Sequence, residues 1–168
     1  MSATEASLYE ELILESNDRS RTADLKLGTI SIDYYEDLFS PTITAKMRVV
    51  NTGDSIAAEG EKERQSIYNG LPLRGGERLS MKILDHGKTG AGEDKKGLDF
   101  TDPDRNLIVS SITDVISESQ RESFMLNLVS REAISNETTR VFKKYSAKIS
   151  TSVETILKDV LATETDRY

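Results

Sequence analysis

Residues 42–49 of the stretch TITAKMRVV alternate without a fault. Ile43, Ala45, Met47 and Val49 fall on one parity, and Thr42, Thr44, Lys46 and Arg48 on the other. Successive side chains of an extended chain point to opposite faces, so this pattern makes a strand with one dry face and one wet face. A strand dry on one side only belongs in an antiparallel sheet, because parallel strands are covered on both faces. The rest of the chain must therefore supply neighbours of the same half-buried kind.

Several segments qualify. LYEELILE, residues 8–15, reads as a strand, with a helix as the competing reading. SNDRSRTA carries turn chemistry. In DLKLGTISIDYYED, residues 24–37, Leu25 and Leu27 share one parity, and Ile30, Ile32 and Tyr34 keep the same spacing of two. Gly28 breaks the phase between the two sets, which predicts a bulge or a close approach of backbones. Pro41 turns a corner, since it has no N–H for a ladder. Asn51-Thr52-Gly53-Asp54 ends the best strand, and SIAAEGEKERQ reads as a charged loop. Asn69-Gly70 is a turn signal. Leu79, Met81 and Ile83 alternate again. Residues 85–105 form a polar stretch too long for a hairpin turn. Residues 107–116 and 123–129 then read as a hairpin, with Phe124, Leu126 and Leu128 on one face.

The period changes at about Ser130, a candidate N-cap. Ile134, Thr138, Val141, Phe142 and Tyr145 recur at helical spacing. A second helix follows, with Thr151-Ser152-Val153-Glu154 as a capping box and a stripe of Val153, Ile156, Leu157, Val160 and Leu161. Strands first and helices last predict an α+β chain: an antiparallel β-barrel or sandwich over residues 1–129 and a helical segment over 130–168.

The stretch SIYNGLPLRGGERLSMKI raises a chemical question. A phosphate cradle needs converging backbone N–H groups, usually with a helix opening behind them. After Gly75-Gly76 comes Glu77, which would repel a phosphate, and then a strand, so a tight turn is the better reading. His86 is the only histidine, and no nucleophile elbow accompanies it, so it reads as a loop residue. Neither Asp94 nor Asp99 opens a calcium-loop register. Glu10-Glu11 and Glu36-Asp37 are adjacent, which on a strand sends the paired carboxylates to opposite faces. No residue is assigned a catalytic, cofactor-binding or metal-binding role.

Composition narrows the class further. Of 168 residues, 36% are hydrophobic and tryptophan is absent, so the core must rest on Leu, Ile and Val. The net charge of −7 argues against tight wrapping of nucleic acid or docking on anionic membranes. With no cysteine there are no disulfides or thiolate metal sites, which suits a reducing cytoplasm. The first residues carry no signal-peptide pattern, and no apolar run approaches the ~20 residues of a membrane span.

Three stretches together resemble a family. They are GTISIDYYEDLFSPTITAKMRVVNTGDSI, SIYNGLPLRGGERLSMKI and ITDVISESQRESFMLNLVSREAISNETTRVFKKYSAKISTSVETILKDVL. In content, order and spacing they are similar to the baseplate hub subunit of contractile-tailed, T-even-like bacteriophages of the marine type. The likeness covers about residues 23–162 and rests on length, not on a catalytic motif. It implies a tail-tube-like antiparallel β-barrel with flanking helices. It also implies a virion protein of the tail baseplate, assembled in the host cytoplasm as a homo-oligomeric ring, trimeric or otherwise. The ring would join the tail tube or tube-initiator proteins to a central spike, with DNA passing through its lumen, no cofactor and no enzymatic step. Family members are longer and carry two tube domains, whereas this chain has room for one and the start of a second domain. A β-sandwich module that grips a ligand or glycan with its loops is the alternative, and a hydrolase is a third reading.

Overall fold

A computed structural model describes residues 7–40, 42–52, 65–84, 97–118 and 121–160. Within them lie β1 (Leu8–Glu15), β2 (Thr22–Asp24), β3 (Thr29–Tyr35), β4 (Thr44–Thr52), α1 (Ile67–Gly70) and β5 (Arg78–Leu84). β6 (Gly97–Phe100), β7 (Leu107–Glu118), β8 (Arg121–Val129), α2 (Arg131–Thr138) and α3 (Ile149–Val160) come after them. The eight strands form one antiparallel sheet, so the chain is α+β. The bonded path runs β2-β1-β5-β7-β8-β4-β3, with β6 paired to β5 off that path. Among the described residues no pairing joins β2 to β3, and the sheet is open.

The alternation that predicted β4 sets the register of that half of the sheet. Ala45, Met47 and Val49 stand opposite Leu128, Leu126 and Phe124 of β8. β8 in turn sets Leu128 and Leu126 opposite Val109 and Ile112 of β7. The other half repeats the device: Leu14 and Leu12 of β1 face Leu79 and Met81 of β5, which face Leu107 and Phe100. These inward rows merge into one core cluster, joined by Ile67, Leu71 and Leu73 from α1 and its exit. Fully burying each such side chain contributes about 1.5–3 kcal/mol.

Several expectations are corrected. Residues 24–37 are not one alternating strand: β2 ends at Asp24, residues 26–28 turn, and β3 starts at Thr29. Leu25 is buried but Leu27, in the turn, is wholly exposed, and Ile30 also faces solvent. The register slips between Thr29 and Ser31, and a Cβ on Gly28 would lie 2.6 Å from the Val50 carbonyl oxygen. Gly28 thus marks both the bulge and the close approach that its position suggested. Asn69-Gly70 closes one helical turn, capped by Ser66, whose side chain accepts from the Asn69 N–H. The polar stretch at 85–105 contains β6; its residues 85–96 lie outside the described set, as do Pro41, Gly53, Asp54 and residues 55–64 of the charged loop.

The helices depart most. α2 stops at Thr138, where the Thr138 hydroxyl bonds back to the Ile134 carbonyl, so Val141, Phe142 and Tyr145 are not helical. Consecutive β-branched threonines lose side-chain freedom in a helix and favour its end there. Ser130 does sit at the N-cap, but its hydroxyl accepts from Ile43 N–H at 3.2 Å, extending the β4–β8 ladder instead of capping α2. The capping box is absent: α3 begins at Ile149, Ser152 N–H donates to the Lys148 carbonyl, and Glu154 pairs with Lys158 at 3.0 Å. Leu161 lies outside the described residues.

Candidate interaction surface

The glycine corner answers the chemical question first. Gly75 and Gly76 both hold positive φ, 100° and 92°, a region L side chains avoid. The Glu77 carboxylate, almost fully buried, accepts from Arg74 N–H at 2.6 Å and from Gly75 N–H at 2.9 and 3.1 Å. Gly76 N–H donates to the Val109 carbonyl, and Val109 N–H to the Glu77 carbonyl. The cradle exists, and the chain fills it with its own carboxylate. Glu77 is the occupant, where the sequence suggested only a repulsive neighbour.

A second buried carboxylate escaped the sequence reading. Glu122 accepts from Ile67 N–H at 2.7 Å, from Tyr68 N–H at 3.3 and 3.4 Å and from Asn51 Nδ2 at 2.9 Å. It ties the start of α1 to β8 and β4. The signal was parity: Glu122 shares the inward face of Phe124, Leu126 and Leu128. A buried carboxylate on that face must find donors nearby.

The other carboxylates singled out do not converge in pairs. Glu10 sits at a register slip in β1 and bridges Lys82 at 2.7 Å, a contact that raises the Lys82 pKa, while Glu11 accepts from Ser80 Oγ. Glu36 accepts from the Tyr34 hydroxyl at 3.0 Å; burial and that bond push Tyr34 up to about 12. Asp37 caps its own turn through Phe39 N–H. Asp99 accepts from the side chain and backbone of Thr101, which lowers its pKa. His86 and Asp94 lie outside the described residues. Among the described residues no group of three or more His, Cys, Asp or Glu is placed to hold a metal, and no helix is long and apolar enough to cross a membrane.

The described sheet does present unpaired backbone. The outer edge of β3 pairs with no described strand. β7 bonds β5 only at Leu107 and Ile108, so its edge beyond Val109 is also unpaired within the described set. Asp114, at φ 53°, bends β7 at a register slip and meets Arg48 at 3.7 Å. Apolar residues cluster at both edges: Ile30, Tyr35, Leu38 and Phe39 by β3, Val115 and Ile116 on β7, all exposed. Between them, the wet face is a polar band. Register aligns Asp33, Lys46, Asn127 and Ser111 across four strands, and Asn127 Nδ2 donates to the Ser111 and Thr113 hydroxyls.

Comparison of this chain with protein-family models, curated proteins and solved structures yields no match.

Proposed function

We propose that this chain is a structural subunit of a phage baseplate hub. Its copies join strand edge to strand edge in a ring between the tail tube and the central spike. The unpaired edges of β3 and of β7 beyond Val109 carry this reading. Exposed strand edges invite pairing with another chain, and natural proteins usually cover or charge them. Here both edges are flanked by exposed apolar residues. A contact between two different edges, β3 of one copy and β7 of the next, is heterologous and closes into a ring when the rotation permits. Such closure extends the sheet toward the tube-like barrel that the sequence resemblance implies, and covers both of these edges.

The polar band around Lys46 and Asn127 then lines the lumen. Mixed side chains on a chain of net charge −7 let DNA slide past without adhering. α2 and α3 pack on a neighbouring chain or on the tube and spike proteins. The role belongs to the virion, after assembly in the host cytoplasm, and breaks no covalent bond.

Size-exclusion chromatography with light scattering tests this on the full chain, alone and mixed with tail-tube and spike proteins. The expected result is a closed oligomer or a stable mixed complex. Ile30→Lys with Ile116→Lys dissociates it while leaving the melting temperature in place. A chain that stays monomeric at every concentration and retains neither partner rejects the reading.

A further inference from the structure

One end of the sheet gathers positive charge on an acidic protein. A pocket of about 180 Å³ lies there, lined by Arg19 from the β1–β2 turn, Arg78 at the start of β5 and Arg131 at the start of α2. Asp104 and Asn106, from the β6–β7 connection, complete the polar wall. The chain carries 29 acidic residues against 22 basic, so three arginines lining one pocket beside a single carboxylate run against its overall balance.

Asp104 pairs with Arg131 at 3.0 Å. Asp18, the acid nearest Arg19 in sequence, is engaged within its own turn: Oδ1 accepts from the Ser16 and Ser20 hydroxyls and from Ser20 N–H. Glu15 stands opposite Arg78 in the register but makes no ion pair with it. Among the described residues Arg19 and Arg78 have no carboxylate partner. Arg19 is also held at φ 59°, a left-handed conformation costing on the order of 1–2 kcal/mol outside glycine. Its N–H donates to the Ser16 carbonyl, so the turn keeps this arginine at the pocket wall against that cost.

We infer that this pocket is a binding site for a small oxyanion, a phosphate or carboxylate group gripped between Arg19 and Arg78 and bounded by the Arg131–Asp104 pair. Guanidinium forks match such oxyanions with two parallel N–H···O bonds, and an anion removes the mutual repulsion of unpaired arginines. A pocket of about 180 Å³ has room for one such group with some hydration. The group arrives either as a free ion or on an acidic peptide.

Isothermal titration of the full chain decides, using inorganic phosphate and, separately, an acetylated di-aspartate peptide, each against chloride of matched ionic strength. Saturable binding near one per chain is expected. Arg78→Gln and Arg19→Gln each weaken it about tenfold or more, whereas Lys144→Gln, on the linker after α2, does not. Circular dichroism confirms that each variant folds, and Arg19, on an exposed turn, tests the site even where Arg78→Gln does not fold. Tighter binding of the peptide assigns the source to an acidic chain, and tighter binding of phosphate to a free ion. No binding above the chloride control, or equal loss in Lys144→Gln, overturns the site.

Discussion

β4 and α3 are both amphipathic in sequence, yet β4 hides its apolar face and α3 leaves much of its own in water. Ala45, Met47 and Val49 are at most 2% exposed, while Ile149 is 84% and Val153 48% exposed. β4 has neighbours on both sides, so its backbone bonds and its apolar face are satisfied by the same two strands. Among its described contacts, α3 carries the Glu154–Lys158 pair and the Lys143–Asp159 bridge from the preceding linker. Twelve-residue helices are marginal in water without a packing partner. Amphipathicity therefore states what an element needs, and only the fold shows whether the chain itself supplies it.

The contrast can be broken most violently at Met47. Met47→Asp places an unpaired charge on the buried face of β4 and costs about 3–5 kcal/mol, enough to unfold a modest domain. Urea titration followed by circular dichroism reads this directly; a native midpoint would mean that the register of β4 is wrong. Glu77→Ala comes next. It strips the acceptor from the Arg74 and Gly75 N–H groups and should lower stability by about 2–3 kcal/mol, with Glu77→Gln losing less. Equal midpoints for all three proteins would show that the carboxylate does not hold the corner.

Gly28→Ala should cost about 1–3 kcal/mol, because its Cβ meets the Val50 carbonyl oxygen and must push β3 from β4. Faster amide exchange at Val50, whose N–H bonds the Gly28 carbonyl, would report that separation. At the β1–β2 turn the effect depends on pH. Hydrogen bonds from Ser16 and then Ser20 hold Asp18 down at about 2. A carboxyl lowered on folding stabilises the turn above its unfolded value near ~3.9, and this contribution is lost as pH falls through about 2. Ser16→Ala should move the Asp18 carboxyl titration upward by NMR; an unmoved titration would dismiss the hydroxyl as its cause. The smallest effect belongs to α3. Ile149→Glu should stay within about 0.5 kcal/mol of the parent protein, since that side chain touches little. A larger drop in melting temperature would show that the helix leans on the sheet after all.

Strand parity was readable wherever one face was buried without interruption. β4, β5 and β8 follow their inward residues, Met47, Met81 and Leu126 among them, because a one-residue slip would turn every side chain over. The Gly28 interruption was readable for the same reason. Parity alone could not show that Leu27 points away, since a turn separates it from Leu25. Helix ends were read poorly. Thr151 looked like a cap and lies inside α3, and Ser130 looked like a cap and serves the sheet. Caps depend on which backbone groups are left unsatisfied, and that is settled only after packing.

The sequence by itself determined the half-buried strands β4, β5 and β8, their dry faces and the tight turn at Gly75-Gly76, because these arise from side-chain periodicity and backbone sterics acting over a few residues. The tertiary structure alone decided that Glu77 and Glu122 are buried acceptors, that β3 and the far end of β7 keep open edges among the described strands, and that Arg19, Arg78 and Arg131 line one pocket. Each of those outcomes joins groups far apart in the chain, and hydrogen bonding, burial and charge act through distance in space, which no local pattern encodes.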